Sequence, residues 1–319
     1  MGFFTNNLVT NITVGENVRY LNNSMASAFS NCYNFNQPVT IPNDVTNMYQ
    51  TFRGCSNFNQ PVTIPNGVTT MYQTFYGCSN FNQPVTMPND VTNMYLTFYG
   101  CSNFNKPVTI PNGVTNMART FDNCQKFNQP VTIPNGVTDM SSAFSNCSNF
   151  NQPVTMPNDE TKMYRTFYGC SNFNQPVTIP NDVTNMAQTF YNCQKFNQPV
   201  TIPNGVTNMS SAFTSCSNFN QPVTILNSAT IINQAFQNCT NLSGNITIYA
   251  RNVTGMSSFV WLKNNNKRIN IFVPNGSTTN TTSAINNTAS VVGANVTWST
   301  NTVCRYNTVY NIYIYWNKF

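Results

Sequence analysis

Phe58-Asn59-Gln60-Pro61-Val62-Thr63-Ile64-Pro65-Asn66-Gly67, continuing through Thr69, Met71 and Phe75 to Gly77-Cys78, is one turn of a pattern that runs through most of the chain. Its cysteine recurs at Cys32, Cys55, Cys78, Cys101, Cys124, Cys147, Cys170, Cys193, Cys216 and Cys239, always 23 residues apart. Each has a Phe three residues before it (Phe29 through Phe236). A Met stands seven before it (Met25 through Met209, then Ile232) and a Phe three after it (Phe35 through Phe219, then Leu242). An uninterrupted fixed period of this length is the signature of a stacked-repeat fold, in which no unit buries its apolar face alone.

Within the unit, apolar Val62 and Ile64 flank polar Thr63, the period-two signature of a short strand with one buried face. Pro65 stops it, because proline donates nothing to a ladder. Asn66-Gly67 is a turn, repeated as Asn43-Asp44, Asn89-Asp90 and Asn204-Gly205. Thr69 is then expected to cap a short helix whose buried stripe is Met71 with Phe75. The residue before each cysteine is Gly at 54, 77, 100 and 169, Asn at 31, 123, 146, 192 and 238, and Ser215. Gly and Asn suit a left-handed helix terminus. The expected architecture is α/β: a leucine-rich-repeat-type solenoid of about ten strand-turn-helix rungs, with a parallel sheet on one face and helices on the other.

These residues carry a resemblance. The frame Val62-Thr63-Ile64-Pro65-Asn66-Gly67-Val68-Thr69, followed by Phe75-Tyr76-Gly77-Cys78-Ser79-Asn80-Phe81, resembles the BspA-like leucine-rich repeat over about Met25 to Ile248. The Phe-Asn-Gln-Pro segment is similar to related repeats of Mycoplasma and Lactobacillus surface proteins. The resemblance implies adhesion or protein binding, with no catalytic residues to carry over. Such repeats also occur in bacteriophage virion proteins and protozoan surface proteins.

Three segments are expected: an N-terminal cap at 1–24, the repeats at 25–248, and divergent rungs with a C-terminal cap at 249–319. In the last, 245–250, 269–274 and 295–299 read as strands, 253–262 and 283–292 as helices. Tyr310 to Trp316 reads as a strand closing the sheet edge. The start of the sequence lacks a basic segment and a long apolar run, so neither a secretory signal nor a membrane span is expected there.

Charged residues make up 7% of the protein and hydrophobic ones 40%. Locked apolar positions supply a core, whereas disordered proteins combine low hydrophobicity with high charge. The net charge of +6 is spread over 319 residues, too dilute for a nucleic-acid stripe. Only Lys263, Lys267 and Arg268 cluster. The cysteines are expected as free thiols filling the core, since collinear sulfurs cannot build a tetrahedral metal site. Cys304 lies outside the period.

The sequence offers catalysis little. It has no histidine, hence no Ser-His or Cys-His nucleophile. Asp159-Glu160 is its one adjacent acid pair, and Asp44, Asp90, Asp159 and Asp182 share a turn position with Gly. No enzyme, metal or cofactor is expected, a polysaccharide depolymerase being the remote alternative. The expected role is that of an adhesive or fibre component of a bacteriophage virion, assembled in the host cytoplasm. The alternative is a cellular surface adhesin. Its partners would be other virion or surface proteins, a second copy of the protein, or a host glycan; neither nucleic acid nor membrane insertion is expected.

Two candidate surfaces follow. On the helix layer, Tyr72 with Tyr76, Tyr95 with Tyr99, and Tyr164 with Tyr168 stand four apart and should form an outer tyrosine ridge. Other copies carry Ala118, Ser141, Ala187 or Ser210 at the first of these positions, so the fold does not demand tyrosine there. On the strand face, Gln60, Gln83, Gln129 and Gln152 beside Thr63, Thr86, Thr132 and Thr155 form a uniform ladder suited to a repetitive ligand such as a glycan.

Overall fold

Every second N–H of the segment expected to be helical points out of its own rung. Met48, Gln50, Phe52 and Gly54 donate to the carbonyls of Thr70, Tyr72, Thr74 and Tyr76 in the next rung, at 3.2, 3.0, 2.9 and 2.6 Å. The N–H groups between them close local turns, Thr51 to Met48, Arg53 to Gln50 and Cys55 to Phe52, at 3.2, 3.1 and 3.0 Å. This corrects the helix expectation: the computed structural model shows no α-helix among the described residues. Those residues are 21–159, 162–226 and 228–242, together with four strands at 246–249, 269–274, 295–301 and 309–315.

The physical reason is spacing. Equivalent rings in consecutive rungs, Phe52, Phe75, Phe98 and Phe121, stand 5.6, 5.6 and 5.7 Å apart. Packed α-helices need about 8–10 Å between axes. A rung that keeps ladder spacing on this side has no room for one, and its N–H groups are worth more as rung-to-rung bonds than as intrahelical ones. Thr69 accordingly caps nothing; its N–H and hydroxyl both face the Thr46 carbonyl, at 3.0 and 3.5 Å. The side-chain oxygen of the next residue shapes the entry instead: Asn47, Asn93, Asn116 and Asp139 each accept the N–H two residues on, at 2.9–3.0 Å.

Two residues per rung take positive φ. One is the expected position before the cysteine, from Gly54 at 75° to Asn146 at 56°. The other, five before the cysteine, is occupied by Gln50, Gln73, Leu96 and Arg119 at 54–57°. Each sits third in a local four-residue turn, where a type II turn requires φ above zero.

The protein divides into two units, Met1–Glu160 with Gly169–Phe173 and Thr161–Tyr168 with Asn174–Phe319. In the first, parallel bridges link Ser24, Asn47, Thr70, Asn93, Asn116 and Asp139, each 23 residues from the last. In the second they link Lys162, Asn185, Asn208 and Ile231 at the same offset. No rung slips within either series.

The Val-Thr-Ile segment keeps its in-out-in burial, with Val62 and Ile64 inside and Thr63 outside. It forms true strands in few rungs. β1 (Val131–Thr132) pairs with β2 (Val154–Thr155) in the first unit. Prolines on both sides of the segment remove the N–H groups a longer ladder needs. In the second unit β3 (Val223–Ile225), β4 (Ile246–Tyr249) and β5 (Ile269–Pro274) run parallel, again 23 residues apart. β6 (Asn295–Asn301) and β7 (Val309–Tyr315) then join antiparallel, in the order β3-β4-β5-β7-β6. The aromatic strand β7 therefore lies between β5 and β6; the edge position expected for it belongs to β6. Among the described strands β6 pairs with β7 alone, antiparallel, so it is likewise no parallel rung. The expected helices at 253–262 and 283–292, the first twenty residues and Cys304 lie outside the described residues.

The core consists of self-stacking files. Met, Phe, Cys and Phe of successive rungs are fully buried, and within a rung Phe52 stacks on Phe58 at 4.4 Å and 10°. Phe144 is buried in such a file, whereas Thr155 is exposed on the strand face. Phe144→Ala should destabilise the protein by roughly 3–5 kcal/mol and Thr155→Ala by well under half of that, read from chemical denaturation midpoints. Equal losses would show that the two faces are assigned wrongly.

Candidate functional site

Inside the stack, the cysteines do more than fill space. Cys55 Sγ donates to the carbonyl of Phe29 in the preceding rung at 2.9 Å, and Cys78, Cys101, Cys124, Cys147 and Cys170 repeat this with Phe52, Phe75, Phe98, Phe121 and Phe144 at 2.9–3.0 Å. In the second unit Cys193, Cys216 and Cys239 do the same to Phe167, Phe190 and Phe213. The Phe52 carbonyl also accepts the N–H of Cys55, so both its lone pairs are used.

A second buried file was not singled out from the sequence. Thr51, Thr74, Thr97 and Thr120 are fully buried, and the Thr74 hydroxyl lies 2.9 Å from the carbonyls of both Met48 and Met71. The signal was available: this position holds only Thr or Ala (Ala28, Ala143, Ala212, Ala235), the alternation of a tight interior site. All ten periodic cysteines are free and buried. Burial pushes the thiols of Cys78, Cys124, Cys147 and Cys216 far up, with neighbouring cysteines adding to it, so they stay protonated and unreactive. Among the described residues no cluster of metal-ligating groups occurs.

On the strand face, Thr63, Thr86, Thr132 and Thr155 are exposed and Gln60, Gln83, Gln129 and Gln152 half-buried. The Gln amides are turned inward along the stack. Their Nε2 groups donate to Oδ1 of Asn36, Asn59, Asn105 and Asn128 in the preceding rung at 3.0–3.2 Å. The same Asn oxygens accept backbone N–H groups, as Asn36 does from Asn59 at 2.9 Å. This asparagine-glutamine spine ties the strand-side turn together and leaves the threonines as the outward hydroxyls of that face. In the second unit an open depression on it is lined by Pro199, Val200, Thr201, Ile202, Pro222, Thr224 and Leu226, which include no ionisable group.

The tyrosines lie on the opposite, turn-built side and contact each other across rungs. Tyr49, Tyr72 and Tyr95 form one file, with centroids 5.0 and 5.1 Å apart and rings tilted by 43° and 42°. Tyr76 stacks on Tyr99 in a second file at 4.6 Å and 11°. The pairs four apart in sequence are thus members of two parallel files, because no helix brings them together. Arg53 lies over Tyr76 at 5.2 Å. Burial raises the Tyr72 and Tyr99 hydroxyls above their ordinary value, and the Asp122 carboxylate adds to the effect at Tyr99. Beyond Tyr99 the ridge gives way to Ala118 and the Arg119–Asp122 contact at 4.0 Å. In the second unit Tyr168 stacks on Tyr191 at 4.7 Å, and Arg165 covers Tyr164 and Tyr168 at 5.2 and 4.9 Å.

Residues 23–132, 111–181 and 161–272 match the family described as "Mycoplasma protein of unknown function, DUF285". The protein belongs to this family. Among solved structures, a leucine-rich repeat protein from Bacteroides ovatus is similar over 76% of this protein and 70% of its own length, at 19% identity and a TM-score of 0.50. A leucine-rich cell surface protein from Faecalibacterium prausnitzii matches 70% of this protein and 75% of its own length, at 23% identity and a TM-score of 0.42. No curated protein matches the sequence. The Bacteroides likeness concerns the fold alone: these DUF285 repeats build on a leucine-rich-repeat framework, as the resemblance of Val62 to Phe81 implied.

The raised thiols have a consequence for stability. A thiol whose pKa is raised on folding remains protonated in the native state while its unfolded counterpart ionises near the ordinary value of 9.0. Above that pH the unfolded protein binds fewer protons, so stability is complete below about pH 8.5 and falls as pH rises further. Denaturant midpoints should therefore decline through about pH 9–10 more gently in Cys124→Ala than in the unmodified protein, once each series is referred to its own value at neutral pH. Parallel curves would show that this thiol does not couple to folding.

Proposed function

We propose that the protein is a non-catalytic binding and structural module that works by surface contact with another macromolecule. The observation supporting this reading is the tyrosine ridge of the first unit. Tyr49, Tyr72, Tyr95, Tyr76 and Tyr99 are only half-buried and lie in two adjoining files. Neighbouring rungs manage with Ala118 and Ser141, so packing does not demand these rings. Tyrosine combines an apolar body with a polar tip and is favoured at interfaces. A neighbouring subunit or a surface saccharide is the proposed partner.

The proposed setting is a bacteriophage appendage, a reading that rests on the sequence. A cellular surface adhesin is the second reading, favoured by the description of the matching family as a Mycoplasma protein. Peptides of the protein in purified virions or in cell-surface shavings separate the two. Release of reducing ends from a capsule or wall polysaccharide would instead establish the depolymerase alternative.

Replacing Tyr72, Tyr76, Tyr95 and Tyr99 together by Ser should leave the native fold in place by circular dichroism and cooperative unfolding. It should weaken adsorption of the full-length protein to cells, or its self-association by sedimentation, more than about tenfold. A folded variant that retains full binding in both assays would reduce the ridge to an outer cover.

A further inference from the structure

Eight of the turns that follow the strand segments in the repeats fall into two chemical kinds. Asn66-Gly67, Asn112-Gly113, Asn135-Gly136 and Asn204-Gly205 pair asparagine with glycine; Asn43-Asp44, Asn89-Asp90, Asn158-Asp159 and Asn181-Asp182 pair it with aspartate. All sixteen residues are exposed. The turns share one geometry where their closing bond is described: the N–H of Val45, Val68, Val91, Val114, Val137, Val183 and Val206 donates to the proline three residues earlier at 3.1–3.2 Å.

The backbone does not ask for glycine here. Positive φ among glycines of the described residues is confined to Gly54, Gly77, Gly100 and Gly169, so the turn glycines sit in a conformation open to any residue. A Cβ built on Gly67, Gly113 or Gly136 would meet nothing closer than 3.7 Å, and one on Gly205 would come to 3.4 Å from the Asn181 carbonyl. The sister turns accept aspartate at the same place. What glycine changes is the reactivity of the asparagine before it, because its amide nitrogen has no neighbouring Cβ to hinder attack.

We infer that Asn66, Asn112, Asn135 and Asn204 are self-modification sites that deamidate in the folded protein through a cyclic imide. The backbone nitrogen of the following glycine attacks Cγ of the asparagine. A new bond between these two atoms closes a five-membered ring, the Cγ–Nδ2 bond breaks, and ammonia leaves with the displaced proton. Solvent water then opens the ring at either carbonyl, leaving aspartate or isoaspartate. No oxidant or cofactor is involved. Each event adds one negative charge, so four lower the net charge from +6 toward +2. The turn edge of the repeats becomes anionic as the protein ages, and in the first unit Asn112 and Asn135 occupy successive rungs, so their new carboxylates repel.

The aspartate-bearing turns are internal controls. The folded full-length protein is held in mildly alkaline buffer, its fold followed by circular dichroism, and sampled for isoelectric focusing, peptide mass and isoaspartate. Amide-to-acid conversion should appear at Asn66, Asn112, Asn135 and Asn204 well before Asn43, Asn89, Asn158 or Asn181, each conversion adding one acidic step on focusing, with Asn275-Gly276, a fifth Asn-Gly pair in the sequence, followed separately by peptide mass. Gly113→Asp, which copies a sister turn, should slow conversion at Asn112 to the rate of Asn89 and leave the other three unchanged. Equal rates in both kinds of turn overturn the inference. So does conversion only in the urea-unfolded protein, which would mean that the native turn holds the reacting atoms apart. A Gly113→Asp protein that converts Asn112 at the original rate would show that glycine is not what sets it.

Discussion

The fold depends on how each rung divides its N–H groups. Along the segment from Met48 to Cys55 they alternate between the next rung and a local turn. A strand would send its bonds sideways to partners, and a helix would keep them all within the segment. The alternation does some of both: it joins neighbours at close spacing and curls the backbone so that residues four apart, Met48 and Phe52, both face inward. Positive φ at two positions is the geometric condition for it. At Leu96 and Arg119 that condition is met by residues for which the left-handed region costs on the order of 1–2 kcal/mol. The bonds to the neighbouring rung must outweigh this, since the same φ returns in every copy from Ser27 to Gln234.

Once rungs stand this close, every residue stands beside the residue at the same place in the next rung, and at the core and spine positions that neighbour is of its own kind. This is why the polar groups bond forward and backward along the stack as well as to their own turn. The Cys thiol reaches the preceding Phe carbonyl, the Thr hydroxyl the preceding Met carbonyl, and the Gln amide the preceding Asn. Each bond is small, about 0.5–1.5 kcal/mol, but each is repeated in nearly every rung, and leaving a buried partner unmet would cost more than the bond contributes. Cysteine suits its site because it presents an apolar surface to the phenylalanine files together with one weak donor toward a carbonyl that has a lone pair left over.

The period, the core positions and the left-handed residue before each cysteine were legible because they depend on composition at a fixed register. The helix was misread for a specific reason. Met71 and Phe75, four apart, face inward on an α-helix and equally on two successive tight turns, so hydrophobic periodicity alone does not separate them. The residue that does, Gln73 at φ 56°, is not a type associated with that region. The place of the aromatic strand was illegible for another reason. Alternation in Tyr310 to Tyr315 signals a strand, but which strands flank it is decided by pairing partners, β5 on one side and β6 on the other, that the segment does not encode. The tyrosine ridge fell between: its surface position was readable, while the cross-rung stacking of Tyr72 on Tyr95 followed only from the turn geometry.

Self-stacking also accounts for the low charge. A charged residue repeated at any outward position would face its like in the next rung at about 5 Å, where two unit charges repel by roughly 0.8 kcal/mol even at the dielectric constant of water, and the penalty recurs with every rung. Among the described residues of the first unit no charged residue has a like-charged one 23 positions away within that unit: Arg53 stands between Ser30 and Tyr76, Lys106 between Gln83 and Gln129, Asp90 between Gly67 and Gly113, Arg119 between Leu96 and Ser142. Asparagine, glutamine, threonine and tyrosine behave in the opposite way. Stacked on themselves they gain donor-acceptor series or ring contacts, as Asn57, Asn80 and Asn103 do through amide-to-amide hydrogen bonds at 3.3 Å. The 7% charge of the protein fits a geometry that sets each position beside its equivalent in the next rung, where uncharged polar groups and aromatic rings gain from repetition and like charges do not.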